Sequence, residues 1–194
     1  MRLFSRFFKK KLTREQEYKN RAIYDSSVSF GWAGIITNFA NDPKAIIIGK
    51  NTVINGELII NPYGGKIIIG DFCYIGHNTR VQSDTQISIG NDVQISYNVS
   101  IIDNNAHELN SMERKTSLRK ILIEGYENLK QRGNILGKHI IIEDEVWINF
   151  NCIILKGVKI GRGAIIGAGS VVTKNVPPYT LAVGNPAKVI KTIN

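Results

Sequence analysis

Three histidines, His77, His107 and His139, could move a proton near neutral pH in this 194-residue chain, because an unperturbed imidazole titrates at about 6.5. Only His107 stands where two kinds of sequence meet. It follows the aliphatic stretch Val99, Ile101, Ile102 and opens a polar, charged segment that runs to His139. A histidine so placed could draw a proton from a hydroxyl group, although taken alone a histidine at a loop start is more often structural. His77 and His139 are read as structural. Cys73 and Cys152 have neither metal-ligand nor redox spacing and fall where a small apolar side chain would fit, so buried, reduced thiols are expected.

The elements that must position His107 are written as a repeat. Ile46-Ile47-Ile48, Ile67-Ile68-Ile69, Ile87-Ser88-Ile89, Ile140-Ile141-Ile142 and Val158-Lys159-Ile160 share an apolar-x-apolar mark, and four of the five are followed by Gly. Their first residues lie 21, 20, 53 and 18 positions apart. The long interval is one coil plus an excursion of 35 residues. Aliphatic residues recur every six positions at Ile142, Ile148, Ile154, Ile160, Ile166 and Val172. Such spacing walks around a helix, but three short strands and three corners return one side chain inward every six residues. An 18-residue triangular coil follows, with Ile142 beneath Ile160, Ile148 beneath Ile166 and Ile154 beneath Val172. Ile48, Ile54, Ile60, then Ile69, Ile75, Val81, then Ile89, Ile95, Ile101 extend the ladder. Gly49, Gly70, Gly76, Gly90, Gly161 and Gly167 are expected at corners with positive φ. The fold class is all-β, a parallel β-helix. A βα fold is disfavoured because no helical pattern separates the strands.

The chain has room for one domain, and no apolar run approaches the roughly 18 residues needed to span a membrane. Its start, MRLFSRFFKKK, is too short in apolar residues for a secretory signal and lacks a small-residue cleavage site, so a cytoplasmic location is expected. The net charge of +9 is concentrated: residues 1–21 hold eight basic and two acidic side chains, and residues 104–139 seven and four. No aromatic-interleaved basic stripe or reader motif points to nucleic acid. A polyanionic cofactor, an anionic acceptor or a membrane surface fits better. Residues 1–22 form a basic amphipathic arm, with Leu3, Phe4, Phe7 and Phe8 at helical spacing beside Arg2, Arg6 and Lys9–Lys11. Residues 1–11 could lie on an anionic membrane, or the Phe face could pack on the β-helix or a neighbouring subunit. Residues 23–192 form the β-helix, with the extruded loop over 104–139. That loop contains at least one helix, broken near Gly125, and Arg114, Lys115, Arg119 and Lys120 could meet an anionic sugar, a nucleotide sugar or a lipid-linked diphosphate.

Two stretches are specific: IGNDVQISYNVSIIDNNAHE, residues 89–108, and the run from Glu143 to Lys191 containing VWIN, GVKIGRGAIIGAGSVVTKNVPP and GNPAKVI. They resemble the hexapeptide-repeat acyltransferases, whose pattern is VWIG, GVxIGxxxVIGAGSVVTKxxPP and GNPAKVI. The resemblance covers residues 46–192 and is nearest to the sugar O-acetyltransferases of capsule and lipopolysaccharide synthesis, with galactoside and maltose acetyltransferases close by. It implies a left-handed β-helix, a hand that the general crossover rule would not choose. It also implies a homotrimer with acetyl-CoA bound between adjacent subunits, and an enzyme that transfers an acetyl group to a sugar or glycan hydroxyl.

On this resemblance His107 matches the family's catalytic base. It would take the hydroxyl proton as the oxygen attacks the acetyl thioester directly, with a backbone N–H expected to meet the oxyanion. Glu108, Asp103 or a backbone carbonyl would orient the imidazole. Positions matching the CoA contacts are Ala168, Thr173, Lys188 and Lys191, with Lys174 nearby; Gly167 and Gly169 leave backbone bare beside Ala168, and the lysines suit a 3′-phosphate or else form a solvated basic tail. Trp147 matches a tryptophan near the active site or caps the core. Asp84 corresponds to a carboxylate near the sugar, and Asn98 lies one rung before His107; either could equally be a corner residue. One departure stands out: Asn149 and Phe150 follow Trp147-Ile148 where the family has Gly and a small residue, and Phe150 could narrow the thioester channel. No metal is expected. A γ-type carbonic anhydrase shares the β-helix but needs two histidines about five residues apart, whereas these are 30 and 32 apart. N-acyl, serine and drug acetyltransferases share the fold, and a non-catalytic trimeric scaffold is the remaining alternative.

Overall fold

The computed structural model describes residues 17–193. The basic arm's amphipathic stripe, Leu3 to Lys11, lies outside the described residues. From Ile23 the chain winds through β1 (Ile23–Tyr24), β2 (Ser29–Phe30), β3 (Ile35–Asn38), β4 (Ile46–Ile48), β5 (Val53–Ile54), β6 (Glu57–Ile60), β7 (Ile67–Ile69), β8 (Tyr74–Ile75), β9 (Arg80–Ser83), β10 (Ile87–Ile89), β11 (Gln94–Ile95) and β12 (Ser100–Ile102). After the excursion, which carries α1 (Ser111–Glu124), it resumes with β13 (Ile140–Ile142), β14 (Trp147–Ile148), β15 (Ile153–Leu155), β16 (Lys159–Ile160), β17 (Ile165–Ile166) and β18 (Val171–Val172). A closing hairpin, β19 (Thr180–Gly184) and β20 (Ala187–Thr192), ends it.

Every third strand joins the same sheet. The first sheet runs β1-β4-β7-β10-β13-β16, the second β2-β5-β8-β11-β14-β17-β19-β20, and the third holds β3, β6, β9, β12, β15 and β18 in order. All pairings are parallel except β19 with β20. The five apolar-x-apolar marks are thus successive rungs of one sheet. Ile142 pairs with Ile160, Ile148 with Ile166 and Ile154 with Val172, the stacking the six-residue spacing predicts. These aliphatics are fully or almost fully buried and form one continuous core. Burial of Cys73 and Cys152 in that core, both as free thiols, agrees with the reading of their positions.

Two expectations need correction. Ile60 does not stack on Val81; it pairs with Ser83, while Leu58 pairs with Val81, because β6 and β9 are each four residues long and carry two inward columns instead of one. The corner glycines Gly49, Gly70, Gly76, Gly90, Gly161 and Gly167 do not have positive φ. The left-handed position falls two residues later, at Asn51, Phe72, Asn78, Asp92, Asn98, Glu145 and Asn151 and at Gly163 and Gly169. The glycines answer to close approach instead: a Cβ on Gly70 would sit 2.6 Å from the Gly90 carbonyl oxygen on the next coil. Coils stacked at strand spacing leave no room for a side chain at that point.

Candidate functional site

The excursion is rooted in the coil by a short two-way stem. Lys138 N–H donates to the Asp103 carbonyl at 2.8 Å, Asn105 N–H to the Leu136 carbonyl at 3.0 Å, and Asn104 pairs antiparallel with Gly137. Because the chain leaves and returns side by side, β13 resumes directly on β10, with Ile87 opposite Ile140 across the 53-residue interval. Asn110 starts α1 by accepting from the N–H groups of Met112 and Glu113 through its side chain, and Gly125 ends it at φ +86. None of the residues of α1 is buried. A 3-10 turn, Tyr126–Asn128, follows and folds the arm back over the early coils. There the Tyr126 ring meets Phe39 edge-on at 5.6 Å, and its hydroxyl donates to Asn61 Oδ1 at 3.0 Å.

Beneath this arch lies a cavity of about 490 Å³, whose lining includes His107, Glu108, Asn61, Gln82, Tyr126 and Arg132. His107 is exposed. A tight turn sets its direction: Ala106 is left-handed at φ 61, its N–H donates to Asn104 Oδ1 at 2.6 Å, and the His107 N–H donates to the Asn105 carbonyl at 2.7 Å. Among the described residues no group hydrogen-bonds the ring. Of the named orienters, Asp103 is fully buried and engaged elsewhere, accepting from the Ser83 hydroxyl at 2.6 Å and from the N–H groups of Asp84 and Thr85 at 3.0 Å each. It shapes the corner. Glu108 accepts from the Ser117 hydroxyl with one oxygen, while its second oxygen has no partner. Arg114 is spent on the excursion itself, donating to the carbonyls of Glu108 and Leu109.

Asp84 and Asn98 are not brought to the cavity surface. The Asp84 side chain has 0% exposure and lies behind the cavity wall, 3.6 Å from Arg132 Nη1 and accepting from the Thr85 hydroxyl at 3.0 Å. Burial, and then the neighbouring Asp103 carboxylate, push its pKa up to about 6. A group so enclosed does not itself face the cavity, and Arg132 is the charged neighbour that stands between them. Asn98 occupies the left-handed corner position at φ 58, one coil from Asn78 and Asn151 at the same corner. His77 lies between Trp32, at 5.9 Å, and Tyr97, at 5.2 Å, and His139 Nε2 lies 3.0 Å from the Ser88 hydroxyl, so each ring is engaged within the coils and neither lines the cavity.

The remaining candidates divide by corner. His107, Thr173 and Lys174 follow strands of the third sheet; Asn98, Gly167 and Ala168 precede them. The two corners are separated by the width of that sheet, about five residues or roughly 16 Å. Trp147 is 42% exposed on the outer face of the second sheet and does not cap the core. Lys188 and Lys191 lie on the exposed closing strand β20. Asn149 and Phe150 sit on the Asn98 side: Asn149 Nδ2 donates to the Ile166 carbonyl at 3.0 Å, and the Phe150 ring lies parallel to Tyr97 at 5.2 Å. Trp32, His77, Tyr97 and Phe150 thus form a column of rings along one corner. Sequence reasoning missed this column, although the four residues hold equivalent places in their coils. It also missed Arg132 and Tyr126, for which no periodic pattern exists.

Comparison with known proteins places this architecture. The family described as bacterial transferase hexapeptide (six repeats) matches residues 139–174. Galactoside O-acetyltransferase of Lactococcus lactis is 33% identical over 147 residues, 76% of this chain and 63% of that protein. The Escherichia coli galactoside O-acetyltransferase is 31% identical over 147 residues, 76% of this chain and 64% of the relative. The chain therefore spans less than two thirds of the length of these relatives. The solved structure of NeuO, a polySia specific acetyltransferase, superposes with a TM-score of 0.66 at 31% identity, covering 88% of this chain and 71% of NeuO. With its coil register, its corner glycines and this likeness over nearly its whole length, the chain is a left-handed β-helix and belongs to the hexapeptide-repeat acyltransferase family.

Proposed function

We propose that this protein is an acetyl-CoA-dependent O-acetyltransferase acting on a sugar hydroxyl, with His107 as general base. The observation that carries the reading is His107 itself: an exposed imidazole, uncommitted among the described residues, opening on a cavity of about 490 Å³ lined by both polar and apolar side chains. In the reaction His107 takes the hydroxyl proton as the oxygen forms a bond to the acetyl carbonyl carbon. The tetrahedral oxyanion then collapses, the carbon–sulfur bond breaks, and the departing CoA thiolate receives the proton from His107. Acetyl-CoA is assigned to the Gly167, Ala168, Thr173, Lys174, Lys188 and Lys191 positions by likeness to the family. The added Cβ of Gly169 would meet nothing within 4 Å, so there is open space at that end of the strip for a narrow pantetheine arm, whereas at Gly167 the Val183 side chain already covers the backbone.

The division of candidates between two corners supports a homotrimer whose sites lie between subunits, where one copy's His107 corner faces the next copy's Asn98 corner. Exposed Met112, Leu122 and Ile123 on α1 supply apolar surface for such an assembly. Among the described residues no helix is long and apolar enough to cross a membrane. The basic arm would add contact with anionic lipid, and removing residues 1–11 is expected to weaken vesicle binding without unfolding the protein.

The test is thiol release from acetyl-CoA across a panel of sugars, comparing wild type with His107→Ala. Loss of transfer by a factor of about 10² to 10⁴ with unchanged thermal stability is expected. No thiol release with any acceptor, together with no acetyl-CoA binding by calorimetry, would move the protein to the scaffold class.

A further inference from the structure

We infer that the cavity under α1 is an acceptor subsite for a hydroxyl-rich molecule bearing an acidic group, in which Glu108 receives a hydroxyl and Arg132 meets the acid. The reaction that uses this subsite rests on the proposed acetyl transfer; the ligand class rests on the cavity alone. Glu108 is 4% exposed, and its two oxygens differ. Oε1 accepts from the Ser117 hydroxyl, whereas Oε2 has no hydrogen-bond partner. A buried carboxylate oxygen left without a donor costs free energy, so such atoms are normally satisfied. Glu108 lines this cavity together with His107 and Arg132, and it also borders a smaller recess beside Met112 and Gly133; the larger space is the one with room for a ligand hydroxyl to act as donor.

The opposite requirement is met by Arg132. Its Nη1 lies 3.4 Å from the Thr85 hydroxyl and 3.6 Å from Asp84 Oδ1, which anchors the guanidinium from behind. A planar guanidinium offers five N–H donors, and those not turned toward Asp84 can take a carboxylate or phosphate in paired fashion. Lys120 lines the same space. Leu118, Ile121 and Ile135 in the same lining present apolar surface that suits the C–H face of a sugar ring. The volume falls in the roughly 300–1,000 Å³ range of small-molecule sites. A neutral apolar ligand would leave Glu108 unsatisfied, and a purely cationic one would oppose Arg132. A sugar acid satisfies both, and its hydroxyls would lie on the side where His107 opens.

The test is equilibrium binding to the full chain without acetyl-CoA, by calorimetry, using N-acetylneuraminic acid as the acidic probe and methyl galactoside as the neutral one. The acidic sugar is expected to bind more tightly. Glu108→Gln, which keeps an oxygen for Ser117 but replaces the acceptor by a donor, should weaken both probes about ten-fold. Arg132→Gln should weaken only the acidic sugar and so erase the preference. Ile121→Phe, which fills the cavity from its apolar side, should weaken both and guards against misreading a Glu108 variant that folds poorly. Unchanged affinity in a folded Glu108→Gln, or no saturable binding of either probe, overturns the subsite. Equal loss of both probes in Arg132→Gln overturns the assignment of an acidic group. Saturable sugar binding without any acetyl transfer would count against the proposed reaction and leave the subsite standing, so the two readings fail separately.

Discussion

In the coils each strand turns an aliphatic side chain onto its counterpart one coil away, so Leu58, Val81, Ile101, Ile154 and Val172 form a single buried column. In the excursion α1 buries nothing, and the segment is held by its stem, by the Tyr126 contacts with Phe39 and Asn61, and by Arg132 against Thr85 and Asp84. The contrast separates two tasks. Stacked coils obtain rigidity from burial that repeats, and they fix the turn that aims His107. The arch over the cavity is held by a few hydrogen bonds, each worth about 1 kcal/mol, and one ring contact, so it adds far less burial than the column beneath.

The comparison can be broken most severely from the coil side. Ile101→Ala removes the middle of the buried column and is expected to cost about 2–5 kcal/mol in denaturant unfolding, taking any His107-dependent activity with it. An excursion that kept its protection while the coils lost theirs would refute the idea that the arch depends on the column. Gly70→Ala forces a Cβ against the backbone of the next coil and should cost about 1–3 kcal/mol. Gly169→Ala, which points into open space but has φ +70, should cost about 1 kcal/mol. Equal costs at the two sites would mean that coil spacing is not what demands glycine at Gly70.

Asp84 sits at the boundary between the two regions and sharpens the comparison through pH. Its folded pKa of about 6 lies above the ordinary 3.8, so the folded chain holds that proton more tightly than the unfolded chain does. The stability contributed by the proton is present at low pH and is lost as pH rises from about 4 through about 6. Asp84→Asn cannot ionise, so its melting temperature relative to wild type should climb across that window and level off above it. A difference that stays flat from pH 4 to 7 would show that the fold does not raise the Asp84 pKa. The smallest effect is expected for Tyr126→Phe, which deletes the hydroxyl bond to Asn61. Hydrogen exchange should quicken over residues 105–136 while global unfolding shifts by about 1 kcal/mol or less.

Much of the coil could be read before the structure. The six-residue period located the inward residues, and the 53-residue gap located the excursion, because both follow from local chain geometry repeated many times. The helix broken near Gly125 was legible too, since a glycine that ends a helix is a local signal. Errors came where neighbouring coils, not neighbouring residues, decide. Gly70 was assigned to a positive φ when it is the next coil's backbone that excludes a side chain. Ile60 was placed over Val81 because the extra inward position in β6 and β9 appears only when the strands pair.

By itself the sequence determined the repeat, the register across the gap and His107 as the residue to test, since periodic burial and a family-like motif are written along the chain. Only the tertiary structure decided that Asp84 is enclosed behind Arg132, that the candidates divide between two corners, and that Glu108, in the wall of a cavity, keeps an unpartnered oxygen. Those outcomes depend on an arm folding back so that Tyr126 meets Asn61, 65 residues away. Contacts of that kind are made by single side chains across large separations, and no period in the sequence announces them.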